Sequence, residues 1–149
     1  MSLNDRLFAD MKEAMKQKEA GKIRLSTIRM IRAAQKEAEI DKKRELTDDE
    51  LIDIINRELK KRKEAVVDYE KAERPEMVKQ LQEEIKVLQG YLPEQLGEDQ
   101  IILIIKEAIK EIGATGPKDL GVLMKTVMPK LKGRADGKLI SELAKKMLQ

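Results

Sequence analysis

The residues of this chain best suited to chemistry are cations. The stretch Lys132-Gly133-Arg134-Ala135-Asp136-Gly137-Lys138 sets two glycines among three basic side chains, just where a last helix is predicted to start. Glycine lets a backbone approach a ligand closely, and a helix start adds amide donors and the positive end of the helix dipole, so the segment could hold a phosphate. It is not a Walker A loop: only three residues separate Gly133 from Gly137, and Leu139 stands where Ser or Thr would hold magnesium. A tight interhelical turn that needs glycine at positive φ explains the same residues without a ligand.

Two further features have the same sign. Residues 113 to 149 hold eight Lys or Arg, among them Lys130, Lys132, Arg134, Lys138 and Lys145, against three acids, so the tail is locally basic although the whole chain is only +3. On a helical wheel Lys22, Arg29, Arg32 and Lys36 fall within a sector of about 80°, which makes a positive ridge along the second predicted helix. Phosphates of a nucleic acid could lie along such a ridge; solvated cations with their stems packed on apolar neighbours would look the same. Three aromatics, Phe8, Tyr69 and Tyr91, argue against readout of a single strand by base stacking.

Other chemistry is excluded by composition. There is no Cys and no His, which removes disulfides, thiolate nucleophiles, Cys/His zinc sites and Ser-His-Asp triads. Carboxylates are plentiful, yet no pair is set apart, and neither a cofactor loop nor a metal cluster stands out, so no cofactor and no autonomous active site are expected. The start, Met1 to Lys18, is amphipathic rather than a secretory signal, and the longest purely apolar run, Ile101 to Ile105, is too short to span a bilayer. No membrane association and a cytoplasmic location are expected.

The elements that must position these cations are helices. Ser2 can cap a first helix carrying Leu3, Leu7, Phe8, Met11, Ala14 and Met15, and Gly21 closes the connection to a second, Lys22 to about Asp41, with Ile23, Ile28, Ile31, Ala34 and Ala38 on one arc. Thr47-Asp48-Asp49-Glu50 is a capping-box pattern that opens a third helix, running to about Ala72. Arg74-Pro75 ends it and starts a fourth with Met77, Val78, Leu81, Ile85 and Leu88. Gly90-Tyr91-Leu92-Pro93 is the strongest punctuation, and the domain boundary is placed there, giving domains 1–92 and 93–149. Ile101 to Ile112 predicts a largely buried fifth helix stopped by Gly113; a sixth covers Lys118 to about Met128, where Pro129 can interrupt it; a last one, capped by Asp136, covers Lys138 to Leu148. No alternating strand segment occurs, so the fold class is all-α.

Three charges fall on apolar arcs: Arg24 on the second helix, Glu58 and Arg62, spaced i,i+4, on the third. Charges facing an interior are costly unless paired, which predicts an interhelical Arg24, Glu58, Arg62 network of structural character.

Arg24-Leu25 through Ile28-Arg29, Glu58-Leu59-Lys60-Lys61-Arg62-Lys63, Tyr91-Leu92-Pro93-Glu94-Gln95-Leu96 and Lys132-Gly133-Arg134-Ala135-Asp136-Gly137 together resemble the bacterial YqeY family over the whole chain. From about Leu92 the chain also resembles the tail domain of GatB, the tRNA-binding subunit of the glutamine-dependent aspartyl/glutamyl-tRNA amidotransferase. The resemblance implies an amino-terminal helical domain followed by a compact three-helix tail, and an accessory role in holding tRNA. It also implies association with a carbon-nitrogen ligase that uses glutamine as amido donor, a reaction whose ATP and glutamine sites would have to come from a partner. The expected phosphate contacts are Lys130, Lys132, Gly133, Arg134, Gly137, Lys138 and Lys145 from the tail and Arg29, Arg32 and Lys36 from the body. The alternative is a helical adaptor that docks an aminoacyl-tRNA synthetase or an amidotransferase subunit without touching RNA.

Overall fold

The computed structural model describes all 149 residues, Met1–Gln149, and they form seven α-helices and no strand. The helices are α1 (Leu3–Lys16), α2 (Lys22–Lys42), α3 (Asp48–Lys71), α4 (Pro75–Gln89), α5 (Glu98–Ile112), α6 (Leu120–Leu131) and α7 (Gly137–Met147). Short 3-10 turns at Lys18–Gly21 and Pro117–Asp119 precede α2 and α6. The chain divides into two compact units, Met1–Leu92 and Pro93–Gln149.

In the first unit the helix starts are set by side chains. The Ser2 hydroxyl accepts from the Asp5 amide at 3.1 Å, and the Thr47 hydroxyl accepts from the Glu50 amide at 3.2 Å while the Glu50 carboxylate accepts the Thr47 amide at 3.0 Å. These satisfy amides that a helix start leaves without intrahelical partners. Between α1 and α2 the chain turns so tightly that a Cβ on Gly21 would lie 2.2 Å from the Ala14 carbonyl oxygen, which is why glycine stands there. α4 packs back along α3, and Leu3, Leu7, Ile28, Ile31, Leu51, Ile55, Leu59, Leu88 and Tyr91 form the core.

The buried stripe of α2 differs from the predicted arc. Thr27 and Gln35 are buried with Ile28 and Ile31, whereas Ala34 and Ala38 are only half-buried. Both polar side chains are satisfied, Thr27 donating to the Ile23 carbonyl at 2.8 Å and Gln35 to the Asn4 side-chain oxygen at 2.9 Å. A polar group with an internal partner can therefore take a core position that its type alone would deny it.

The second unit is built on α5, α6 and α7, whose core is Ile101, Ile105, Ala108, Leu123, Val127, Leu131, Ile140, Leu143, Ala144 and Leu148. Gly113 ends α5 at φ 66°, in the left-handed region that glycine enters at low cost. Pro129 does not interrupt the sixth helix: α6 runs to Leu131. Its fixed φ suits a helix, and this close to the end the missing amide removes a single rung.

Candidate nucleic-acid interface

Arg29, Arg32 and Lys36 of α2 all line one open cleft of about 690 Å³ in the first unit, with Ser2, Asn4 and Asp5 at the start of α1 and Glu45, Leu46 and Asp48 beyond the end of α2. Neither arginine is turned to a carboxylate. Arg29 donates to the Met15 sulfur at 3.7 Å, and the Arg32 guanidinium sits 5.2 Å from the centre of the Phe8 ring, with Lys12 Nζ 4.4 Å from the same ring. Arg32 Nη1 is buried without a hydrogen-bond partner. Lys36 is exposed; Lys22, at the first position of α2, is exposed but outside the cleft.

The glycine-bearing segment of the second unit is held by the chain that precedes α5. Gln95 donates its side-chain amide to the Gly133 carbonyl at 2.7 Å, the Leu96 amide donates to the Arg134 carbonyl at 2.9 Å, and Arg134 Nε reaches the Glu94 carbonyl at 3.5 Å. Two motifs about forty residues apart in sequence therefore form one piece. Gly133 is buried at φ 76°, the conformation that a tight turn requires. The Arg134 amide is engaged by the Leu131 carbonyl, and that of Lys138 by the Asp136 carboxylate, which caps α7 as expected. Two backbone amides of this segment are thus already engaged within the protein.

Gly137, at the first position of α7, is exposed, and a Cβ there would come no closer than 3.9 Å to the Met128 methyl. Packing does not demand glycine there. Lys138 and Lys145 lie seven residues apart, hence on one face of α7, opposite the buried Ile140, Leu143 and Ala144, with Glu142 between them. Lys130 pairs with Glu111 of α5 at 3.4 Å across an exposed surface, and Lys132 is exposed at the end of α6.

The internal charges form two separate networks rather than one. Arg62 donates to Glu58 at 2.7 Å as expected, but its other carboxylate partner is Glu84 of α4, at 3.2 Å, and its third contact is the Met30 sulfur at 3.2 Å. Arg24 is not a member. It pairs with Asp10 of α1 at 3.3 Å, because it lies in the first turn of α2, next to the bend that folds α2 back on α1. Asp10 also accepts the Tyr91 hydroxyl at 2.5 Å, and Arg6 sits 5.1 Å from the Tyr91 ring centre. Burial first, and the Asp10 carboxylate second, raise the Tyr91 phenol above its ordinary range. Glu84 could have been found in the sequence, since it interrupts the stripe of Leu81, Ile85 and Leu88. Phe8, Asn4 and Gln35 gave no such sign, because their role depends on α1 lying beside α2.

These features define a small all-helical protein with cations exposed in both units and a buried, doubly paired arginine that holds the first together. Its sequence matches the family model described as Yqey-like protein over residues 4–148, and the chain belongs to the YqeY family. It is 34% identical over 140 residues, 92% of this chain and 76% of the relative, to altered inheritance of mitochondria protein 41, mitochondrial, of Pyrenophora tritici-repentis. Shorter stretches match the E subunit of glutamyl-tRNA(Gln) amidotransferase: 42% identity over 66 residues in Methanocaldococcus jannaschii and 40% over 58 in Thermococcus gammatolerans, 44% and 36% of this chain. Those stretches are 10% and 9% of the two relatives, so the relation is to a small part of a much larger protein. No helix is long and apolar enough to cross a membrane.

Proposed function

We propose that this protein is an accessory tRNA-binding protein that holds the nucleic acid through its phosphates. The observation that carries the reading is the similarity of part of the chain to a subunit of an enzyme whose name gives tRNA as its substrate. The geometry supports it in both units. In the first, Arg29, Arg32 and Lys36 share a cleft wall, and neither arginine is engaged by a carboxylate. In the second, Lys132, Arg134, Lys138 and Lys145 contribute, with Lys130 available once its exposed pair with Glu111 opens, and Gly133, at φ 76°, shapes the turn that carries them. An exposed ion pair contributes about 0–1 kcal/mol, so exchanging it for a phosphate costs little. Its kinship with the amidotransferase is read as a shared way of holding tRNA, not as shared ligase chemistry, and a cytoplasmic setting goes with this reading.

The second reading is an adaptor that docks a synthetase or an amidotransferase subunit. It is favoured by two large apolar side chains of the second unit, Leu103 of α5 and Val122 of α6, which are mostly exposed. Salt separates the two. Binding of tRNA is measured by fluorescence anisotropy at several salt concentrations, for the intact chain and for a Lys132→Ala, Arg134→Ala, Lys138→Ala variant. Phosphate contact gives a log-log slope of roughly −0.7 to −0.9 per neutralised phosphate, and the variant lowers it. Absence of binding even at low salt sinks the tRNA reading in favour of the adaptor, whose apolar docking would be nearly salt-independent.

A further inference from the structure

We propose that the cleft of the first unit seats the terminal ribonucleotide of an RNA strand, with its phosphate on Arg29, Arg32 and Lys36 and its sugar hydroxyls toward the carboxylates that share the cleft. The inference rests on the RNA-binding reading and specifies which part of the RNA the site takes. Size is the first argument. At about 690 Å³ the cleft lies within the range of small-ligand pockets and suits a single nucleotide, not the side of a duplex.

Charge is the second. Besides the three cations, four carboxylates line the cleft: Asp5 of α1, Glu45 and Asp48 beyond α2, and Glu39 on α2 itself, one turn past Lys36. Asp5 accepts the Ser2 amide at 3.4 Å, Asp48 the Leu3 amide at 3.2 Å and Glu39 the Leu46 amide at 2.9 Å, which fixes these three carboxylates but leaves lone pairs on each. A run of phosphates along this wall would be driven against four carboxylates. One phosphate on the cations is not, provided that hydroxyl groups, which donate to carboxylates, face the acids. A strand end meets that condition, since its free 2′,3′-diol carries two donors and no following phosphate.

Arg32 is the third argument. Its Nη1 is desolvated without an acceptor, an arrangement that proteins normally avoid, and a phosphate oxygen entering the cleft would supply one if the guanidinium left the Phe8 ring. The Gln35 and Asn4 side-chain amides, bonded to each other and lining the same cleft, offer remaining donor and acceptor positions to a base edge.

The test uses the full chain and a 5′-labelled single-stranded RNA dodecamer ending either in a free diol or in a 2′,3′-dideoxy nucleotide, two probes of equal charge. The diol-ended RNA is expected to bind about tenfold more tightly, a preference of the size that hydrogen bonds to charged groups supply. Arg29→Ala with Lys36→Ala, both at exposed positions, should abolish that preference, whereas the Lys132→Ala, Arg134→Ala, Lys138→Ala variant should weaken both RNAs and retain it. Equal affinity of the intact chain for the two probes overturns the inference, as does a cleft variant that keeps the preference. If tRNA is bound in a salt-dependent way but the ends are not distinguished, only this inference fails; if no RNA binds, the tRNA reading fails with it.

Discussion

Arg62 shows what a single charged side chain costs and contributes in this fold. It is only 7% exposed, between Glu58 and Glu84 at 14% and 12%, so both carboxylates are largely removed from water; Glu84 is paired with the guanidinium, and Glu58 with the guanidinium and the exposed Lys61. Replacement by Met would fill most of the volume yet leave Glu84 without its cation and Glu58 with only the exposed Lys61, at 3.6 Å. Loss of one member of a buried pair typically costs about 3–5 kcal/mol, and Arg62→Met is expected to fall there in urea unfolding. Adding Glu84→Gln should recover part of the loss, whereas a stability indifferent to both changes would mean that the pair is solvated after all. Gly21 is constrained differently, by backbone rather than charge. An Ala there must displace the Ala14 carbonyl, and Gly21→Ala is expected to destabilise by about 2 kcal/mol or more, since a close backbone contact cannot relax as a side chain does.

At the level of helices, three ends share a motif but not a residue type. α5 closes on Gly113, whereas α2 closes on Lys43 at φ 57° and α3 on Glu73 at φ 56°, and in each case the following amide bonds back to the carbonyl five residues earlier. Placing a residue with a Cβ in the left-handed region costs about 1–2 kcal/mol. Lys43→Gly and Glu73→Gly are therefore each expected to raise stability by about 0.5–1 kcal/mol, net of the flexibility glycine adds to the unfolded chain, and a fall in melting temperature would refute this. The start of α3 has a pH dependence of its own. Arg44 first, then Lys42 and the Thr47 amide, hold Glu50 well below the ordinary glutamate range. Its contribution is present above the unfolded glutamate value and declines as pH falls below it toward the depressed folded value, so Glu50→Gln should flatten the loss of melting temperature on acidification. These same ends show what was legible in the sequence. Gly113, Pro75 and the Thr47 to Glu50 box announce themselves because their residue types have few other uses, and the all-α fold class followed from them and from helical periodicity. Lys43 and Glu73 could not be found that way, because nothing in a Lys or a Glu marks a left-handed φ that tertiary packing imposes. The cation ridge of α2 was legible as a face of a wheel, but the cleft was not, since its other wall comes from α1 and from the chain between α2 and α3.

For the whole molecule, the weak net charge of +3 makes position, rather than total charge, the quantity that decides how a polyanion is held. This can be tested without changing the total. Removing Arg29, Arg32 and Lys36, or Lys132, Arg134 and Lys138, takes the formal charge from +3 to zero, and so does removing Lys60, Lys63 and Lys71 from exposed positions of α3. If long-range attraction alone drew tRNA to the protein, the three Ala variants would lose affinity alike at low salt, where screening is weak and each presents the same net charge to a distant phosphate. Contact predicts otherwise. Each phosphate released from direct contact lowers the log-log salt slope by about 0.7–0.9, so the first two variants should each flatten it by up to about two to three units while the α3 variant leaves it nearly unchanged. Anisotropy titrations between low and physiological salt would distinguish the cases. Equal flattening by all three would show that the charges named here act only as a diffuse field, and flattening by one of the first two alone would assign the phosphate contacts to that unit.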